Sequence, residues 1–292
     1  MLAWLRRLWR RDREFVVWLA VLLLLLLVVV IGPSLLPSAY VQSPGERLQG
    51  PSGTHLLGTD GYGRDVLARV VEAGRTSLLI ALVIAALATV LGSVIGLVSG
   101  FYAKSASVLM RAMDALMAFP GIVLSIALVA AIGTGALSEI VALSVVFTPY
   151  MARISRSRAL HLAGRGYVLA ARSAGVSGPR ILLTHILPNA LPTILVQSLL
   201  IFAAALLLDG TLSFLGMGVQ PPTPTWGNMI AEARPYLSIA PTFVVAPGLA
   251  IVLAVVTLNA ISAGLRSIVD PRARALASMF VMRRERRAPR RA

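Results

Sequence analysis

Residues 153–189 read RISRSRALHLAGRGYVLAARSAGVSGPRILLTHILPN, a polar and basic stretch in a chain otherwise built of long apolar runs. Residues 167–174 contain good helix formers, and Gly175 suits the left-handed turn that ends a helix. Ser177 and Pro179 can open a second short helix, which we expect to end at Pro188. The pattern predicts a helix-turn-helix held outside a lipid bilayer.

The composition is that of an integral membrane protein. Hydrophobic residues make up 57% of the 292 residues and charged residues only 13%. The net charge of +15 comes from arginines that flank the apolar runs, so we expect a lipid bilayer and no nucleic acid as partner. The absence of cysteine excludes disulfides, thiolate metal sites and lipid attached through sulfur.

The apolar runs predict an all-α polytopic membrane protein with six transmembrane helices. A span needs about 20 apolar residues, and the first run, residues 15–31 with its flanks, is long enough. A cleaved signal peptide is the alternative, but its apolar region is usually about 7–15 residues long. We therefore expect an anchor that stays.

Three features within the spans bear on packing. Glycines repeat every four residues at Gly92, Gly96 and Gly100, a stripe that lets another helix approach closely. Pro120 is expected to kink or break the third span. Arg111 and Asp114, three residues apart, are expected to form an ion pair on one helix face.

These runs divide the chain into five regions. We expect a basic cytoplasmic tail, the first span, an extracytoplasmic loop, a core domain with five spans, and a second basic cytoplasmic tail. Their predicted boundaries are 1–14, 15–36, 37–76, 77–270 and 271–292, with a cytoplasmic loop at 153–188 and a further extracytoplasmic loop at 211–241.

The distribution of basic residues predicts the orientation. With both termini in the cytoplasm, 22 of the arginines and lysines fall in cytoplasmic segments and 5 in extracytoplasmic ones. Basic residues favour the cytoplasmic side. The rule therefore orients a six-span chain and places residues 153–188 in the cytoplasm.

The 37–76 loop contains the string HLLGTDGYGRD at residues 55–65. Its glycines permit tight turns, and Asp60, Arg64 and Asp65 can form charge-assisted hydrogen bonds. The residues alone therefore predict a structured loop. A catalytic pair of Asp60 and Asp65 is the weaker alternative.

Three motifs carry a family resemblance. Ala170-Ala171, Gly175 and His185-Ile-Leu-Pro188 are spaced as in the coupling loop of permease subunits of ATP-binding-cassette importers. The 55–65 string, and the segment from Asp209 through LSFLG to Trp226, resemble the C-type permeases of the dipeptide, oligopeptide and nickel branch. The resemblance covers residues 15–272. Leu169 replaces the family's usual coupling glutamate, which puts the role of that carboxylate in doubt here.

The resemblance implies functional residues at two places. Those for coupling to an ATPase are Tyr167, Ala170, Ala171, Arg172, Gly175, His185, Leu187 and Pro188. Those of the extracytoplasmic family motifs are His55, Gly58, Asp60, Gly63, Arg64, Asp65 and Trp226.

The resemblance also implies an assembly in the bacterial cell membrane. The expected partners are a B-type permease subunit, two cytoplasmic ATPase subunits and an extracytoplasmic solute-binding protein. This chain is expected to bind no cofactor, because ATP and magnesium belong to the ATPase subunits. The expected cargo is di- or oligopeptide, with nickel, glutathione or another small solute as alternatives.

Two other classes of function remain as alternatives. An ion-coupled carrier needs ionisable groups deep in its spans, whereas Asp114, Glu139 and Asp209 are expected near span ends. A membrane enzyme needs a nucleophile with a base, and the sequence has no Gly-x-Ser-x-Gly and no intramembrane histidine. The sequence also lacks the phosphate-binding motif Gly-x-x-x-x-Gly-Lys-Ser/Thr, so we expect ATP hydrolysis to take place on other subunits.

Overall fold

The computed structural model describes residues 13–269, except the side chains of residues 103–105 and 269. Residues 1–12 of the predicted tail 1–14, and the whole predicted tail 271–292, lie outside the described residues, while Arg13 and Glu14 belong to the first helix. Apart from an isolated bridge between Thr59 and Asp65, the regular structure of residues 13–269 is helical. The main helices are α1 Arg13–Leu35, α2 Val66–Phe101, α3 Ala103–Met117, α4 Gly121–Ile132, α5 Ala136–Ala163, α6 Gly166–Ser173, α7 Gly178–Ile181, α8 Leu187–Phe214, α9 Trp226–Ala233 and α10 Pro241–Val269.

The described chain is a polytopic all-α membrane protein, as predicted. Five of its helical elements are long and apolar enough to cross a membrane, and one further candidate is bent by 91° between α3 and α4. Counting the bent pair as one span gives the predicted six. Pro120 lies at the bend, so the break expected from this proline is confirmed.

The ion pair on α3 differs from the predicted one. Asp114 binds Arg153 of α5, with 2.7 Å between its Oδ1 and the Nη2 of Arg153, and not Arg111 on its own helix. Helix α3 packs on both α2 and α5. The carboxylate therefore meets a guanidinium from another helix, which the spacing along one helix did not indicate.

Helix α2 connects the two ends of the bundle. Its 36 residues make a rod about 54 Å long, more than the roughly 30 Å of a bilayer's hydrocarbon core. It begins among residues 36–65 and 215–240, which we call the loop end. It finishes beside α6 and the turn at 174–177, which we call the coupling end.

The start of α2 corrects a predicted boundary, since the loop expected to reach residue 76 ends at Asp65. Asp65 caps the helix by accepting a hydrogen bond from the N–H of Ala68, at 2.7 Å. Arg69, one turn later, is only 1% exposed because carboxylates surround it. Arginine side chains are normally exposed to water, so the sequence suggested that Arg69 lies in a loop. In the structure Arg69 belongs to α2 and its guanidinium is buried.

Helices α2 and α5 make the most extensive helix contact of the described chain. The predicted glycine stripe faces the α5 backbone. A methyl group on Gly92 would lie 2.6 Å from the carbonyl oxygen of Thr148, and one on Gly100 would lie 2.7 Å from the Cβ of Ala159. The stripe therefore holds two helices of the same chain together at backbone distance.

Helices α1 and α10 pack beside this pair. Gly32 near the end of α1 contacts Val71 at the loop end, and Phe15 near its start contacts Gly264 of α10. Helix α1 is largely exposed along its length, with Val29 its buried residue. The start of α1 and the last turns of α10 therefore lie together, at the end opposite Val71.

The second helix of the predicted helix-turn-helix does not end at Pro188. Gly178–Phe214 is one continuous element of 37 residues, with a π-helical turn at Leu182–Ile186. Pro188 cannot donate a backbone hydrogen bond and its ring crowds the preceding turn. In the wider π turn, the N–H of Leu187 bonds to the carbonyl of Leu182, so the proline is accommodated and the helix continues.

We predict that Gly96→Ala destabilises the protein, whereas Gly248→Ala does not. Alanine favours both helices by about 1 kcal/mol over glycine, but at Gly96 its methyl would meet the Cβ of Ser155 at 2.6 Å. Overpacking of this kind costs about 1–3 kcal/mol. Gly248 lies inside α10 with no atom within 4 Å of the added carbon.

The thermal midpoints of the two purified variants in mild detergent test this contact. The thermal midpoint of Gly96→Ala should be lower than that of the parent protein, and the midpoint of Gly248→Ala should be equal to or higher than that of the parent. Equal midpoints for the two variants would contradict the close approach of α2 and α5.

Candidate functional site

Helix α6 and the turn after it form the exposed tip of the coupling end. The N–H of Val176 bonds to the carbonyl of Ala171, and the N–H of Gly175 to the carbonyl of Arg172. These two bonds make a Schellman motif, which requires a left-handed residue at its centre. Gly175 has a φ of +75°. The sequence-predicted helix stop therefore lies where it was expected.

The tip is fastened to the rest of the bundle on one face. Val168 is fully buried, and Ala171 packs against the core of its own chain. The guanidinium of Arg172 lies 4.5 Å from the ring centre of Phe101, the last residue of α2. Contacts of this cation–π kind help to fix the orientation of α6 relative to α2.

The opposite face of the tip is open. Leu169 is 50% exposed, Ala170 is exposed, and a Cβ added to Gly175 would have no atom within 4 Å. Of the sequence-predicted coupling residues, Ala170, Arg172 and Gly175 are thus accessible to a partner. Ala171 is half-buried and turned toward its own chain.

The remaining predicted coupling residues lie at the root of the tip. The rings of Tyr167 and His185 stack with their centres 6.4 Å apart. His185 belongs to the π turn, and Leu187 and Pro188 follow it. The structure therefore brings Tyr167 and His185 together, and it places Leu187 and Pro188 in the first turn of α8.

A cluster of buried charges organises the loop end. The Asp60 carboxylate receives the Nε of Arg64 and the Nη1 of Arg69, each at 2.6 Å. Glu232 of α9 binds the same two arginines, at 2.9 Å and 2.7 Å. Asp60 also accepts the backbone N–H groups of Tyr62 and Arg64. This arrangement joins the 36–65 loop, α2 and α9 into one unit.

The other residues of the 55–65 motif have structural roles in the same loop. His55 Nδ1 and Asp65 Oδ2 are 2.8 Å apart, and Asp65 is also the cap of α2. Gly58 and Gly63 have φ values of +80° and +75°. A side chain on either glycine would clash with backbone oxygens of the 43–49 segment. The predicted structured loop is present, and no catalytic arrangement of Asp60 and Asp65 is needed to explain these residues.

Trp226 anchors α9 on α2. It is 2% exposed, and its Nε1 donates a hydrogen bond to the carbonyl of Val70 at 2.9 Å. Its backbone N–H donates to the hydroxyl of Ser77 at 3.2 Å. Thr225 and Asn228 close a capping box at the start of the helix. The position of Trp226 thus fixes α9 over the loop end.

Partial burial and the neighbouring Glu72 carboxylate raise the pKa of the Tyr40 phenol above its usual value. The phenol therefore stays neutral at physiological pH. It donates a hydrogen bond to Glu72 at 3.5 Å, which links the start of the 36–65 loop to α2.

The sequence analysis did not predict that the carboxyl groups of Glu139 and Asp209 lie together. Glu139, in the first turn of α5, and Asp209, near the end of α8, were expected near span ends as separate residues. Both are fully buried and face each other. The signal in the sequence was an acidic residue within each of two apolar segments, but their proximity depends on how α5 packs on α8.

The described residues offer no metal site. Within residues 13–269, no group of three or more histidine and carboxylate side chains is close enough to hold an ion. His55 and His185, two of the three histidines, lie at opposite ends of the bundle.

The fold and these features define a helical membrane protein. At one end it has a short helix that packs on the bundle with one face and is exposed on the other, and at the opposite end it has loops held together by ion pairs. Residues 88–275 match the family described as "Binding-protein-dependent transport system inner membrane component". The chain belongs to this family. It is the membrane-embedded permease subunit of an ATP-binding-cassette importer.

Relatives of known name are similar over most of the chain. The dipeptide transport system permease protein DppC of Alkalihalophilus pseudofirmus is 36% identical over 265 residues, which cover 90% of this chain and 87% of that protein. The di/tripeptide transport system permease protein DppC of Pseudomonas aeruginosa is 38% identical over 234 residues, 80% of this chain and 77% of that one. The glutathione transport system permease protein GsiD of Pectobacterium atrosepticum is 38% identical over 225 residues, with 77% and 75% covered.

We predict that Asp60→Asn destabilises the protein far more than Asp114→Asn. Losing the Asp60 charge leaves two buried guanidinium groups with one carboxylate, and breaking a buried ion pair costs about 3–5 kcal/mol. Asp114 and its partner Arg153 are 56% and 50% exposed, and such surface pairs contribute about 0–1 kcal/mol.

Thermal midpoints and trypsin cleavage within residues 36–65 are the measurements. Asp60→Asn should lower the midpoint and open this loop to cleavage, while Asp114→Asn should change neither. Similar behaviour of the two variants would show that the loop-end cluster does not hold the loop.

Proposed function

We propose that this permease forms half of a translocation pathway for di- and oligopeptides. In the proposed assembly it pairs with a B-type permease subunit, two cytoplasmic ATPase subunits and an extracytoplasmic solute-binding protein. The observation that carries the proposal is the tip of the coupling end, a short helix fastened on one face and open on the other. The names of the dipeptide and di/tripeptide relatives support the cargo.

The open face of the tip suits a groove on an ATPase subunit. Ala170 and Gly175 present no bulky side chain, so a helix and its turn can lie deep in such a groove. Arg172 is held by Phe101 on one side and exposed on the other, where it can meet an acidic group of the partner. The 50% exposed Leu169, in place of the family's glutamate, makes this part of the contact apolar.

Movement of the tip would be carried through the bundle by α2 and α5. Helix α5 ends at Ala163 just before α6, and α2 ends at Phe101 against Arg172. Glycine contacts join the two helices over residues 92–100 of α2. When ATP closes the ATPase pair, we expect α2 and α5 to move as one body and to reorient the pathway from inward-facing to outward-facing.

The proposed orientation places both termini and the coupling end in the cytoplasm. The basic segments of the sequence favour this side. The contact of Phe15 with Gly264 keeps the start of α1 and the last turns of α10 at one end of the bundle, opposite Val71. The loop end then faces outward, where its rigid assembly offers a preformed surface for a solute-binding protein.

The shape and exposure of helices α3 and α4 are a further argument for a second permease subunit as partner. Helix α4 has 12 residues, about 18 Å, which is too short to cross a bilayer alone. Phe119 at the bend, Val123 and Ile132 are exposed in the single chain. Broken helices with open faces are typical of elements that line a pathway between two halves of a transporter.

An ion-coupled carrier is the second candidate, and the pair Glu139 and Asp209 is the observation that favours it. Carriers typically hold their coupling ions near the middle of the membrane. Glu139 lies in the first turn of α5, and Asp209 is five residues from the end of α8. This position supports the importer over the carrier. Peptide remains the proposed cargo, with glutathione, nickel or another small solute as alternatives.

The proposed coupling predicts that Ala170→Trp releases the ATPase subunits. An indole on the open face of α6 would prevent close seating, so recovery of ATPase subunits with the tagged permease should fall about tenfold or more, equivalent to at least ~1.4 kcal/mol. Peptide uptake into cells should fall with it.

Gly53→Trp is the matched control. Gly53 is exposed at the loop end with no atom within 4 Å of an added Cβ, so its variant carries the same side chain away from the tip. This control should retain the ATPase subunits. Full recovery of the ATPase subunits with Ala170→Trp would refute the docking site, and uptake driven by a proton gradient without ATPase subunits would favour the carrier.

A further inference from the structure

The carboxyl pair Glu139 and Asp209 lies in an enclosed place between α5 and α8. Each residue is 0% exposed. Both oxygens of each carboxyl group are sealed from solvent, and none of the four has a hydrogen-bond donor in good geometry. The Oγ of Ser213, on the last turn of α8, is likewise buried and without a partner.

The segment after α8 closes over this pair. Gly218 lies so near that an added Cβ would clash with the Oγ of Ser213 and would lie 2.7 Å from Oε2 of Glu139. Gly227 of α9 packs on the backbone of Gly210 and on the Cβ of Ser213 in the same way. The backbone at Gly218 and Gly227 thus packs directly against Glu139, Gly210 and Ser213.

Ser77 of α2 forms the remaining wall. Its hydroxyl oxygen accepts the backbone N–H of Trp226, and the hydroxyl lies beside Asp209. The hydroxyl hydrogen is therefore available to that carboxyl group. Two hydroxyl groups, from Ser77 and Ser213, flank the two acids.

Within residues 13–269, no basic side chain forms an ion pair with Glu139 or Asp209. Arg69, the buried cation of α2, is bound to Asp60 and Glu232 in the loop-end cluster. Two adjacent carboxylates, both ionised and both removed from water, are strongly unfavourable.

We propose that Glu139 and Asp209 form a proton-binding site, in which one proton is held between the two carboxyl groups under the lid of residues 215–227. The hydroxyl groups of Ser77 and Ser213 complete the site as hydrogen-bond donors to the remaining oxygens. The ligand is a proton and not a metal ion, because among the described residues only two carboxyl groups meet here, without a third carboxylate or histidine.

Proton binding at this site favours the position of the lid against α5 and α8. Loss of the proton would place two negative charges directly beneath Gly218, and hydration of these charges would favour movement of the lid away from α5 and α8. Conversely, a state of the transporter in which the lid opens would admit water and release the proton. Proton occupancy and lid closure are therefore linked.

Infrared spectroscopy of the full-length chain, in its assembled transporter in lipid nanodiscs, tests the site without depending on transport. A protonated carboxyl group has a carbonyl stretch separate from that of a carboxylate. The double variant Glu139→Gln/Asp209→Asn keeps the shapes and removes both acids. The spectrum of the parent at neutral pH should contain a protonated-carboxyl band that this variant loses.

Asp114→Asn is the control, since Asp114 is exposed and paired with Arg153, and its replacement should leave the band unchanged. If the double variant does not fold, the single variant Asp209→Asn gives a second test, because the carbonyl band of Glu139 should shift when its partner becomes an amide. Absence of the band in the parent, its persistence in the double variant, or an unshifted band in Asp209→Asn would overturn the proposal. A parent carboxylate band that shifts on adding sodium ions would also overturn it, by showing a metal cation in place of the proton.

Discussion

The contact between α2 and α5 is the constraint on which the rest of this structure depends. Gly92, Gly96 and Gly100 bring the two helices to backbone distance, so that neither can rotate or slide without a clash. Helix α2, about 54 Å long, reaches beyond the hydrocarbon core of a membrane. A rigid pair of helices thus runs from the loop end to the coupling end.

The two ends are fixed to this pair by different kinds of interaction. At the loop end, Arg69 and Trp226 join α2 to α9 through buried charges and a hydrogen bond. Buried ion pairs gain little net free energy, but removing one partner is costly, so the cluster specifies a single arrangement of the loops. At the coupling end, Phe101 and Val168 hold one face of α6 and leave the other free. The loop end is therefore suited to present a rigid surface, and the coupling end is suited to bind a partner whose movement it follows.

The sequence predicted the features that depend on local chemistry. The left-handed stop at Gly175, the break at Pro120 and the structured 55–65 loop each follow from a few neighbouring residues, and each is present. The predictions were wrong where contacts with residues far away in the sequence outweigh the structure that the neighbouring residues favour. Arg69 is buried in a helix because Glu232 comes from far along the chain, and Asp114 binds Arg153 of α5 in preference to Arg111.

The same limit applies to the candidate sites. A π turn absorbs Pro188 and lets α8 continue, which no composition rule indicated. Ala171, predicted with Ala170 to contact an ATPase subunit, packs partly on its own chain, because one face of so short a helix must do so. The pairing of Glu139 with Asp209 depends on the packing of α5 on α8, and the sequence showed only two separate acids. The family resemblance, in contrast, rested on motif spacing and was sufficient to identify the class of protein.

The rigidity of the α2–α5 pair during transport is the central claim, and a distance measurement between spin labels tests it most directly. The chain has no cysteine, so Gly53→Cys at the loop end and Ser173→Cys on α6 can be labelled specifically. In the assembled transporter, the distance between the two labels should be the same without nucleotide and with ATP bound, while distances to the second permease change. A shift of the main distance within this chain between the two states would contradict the account.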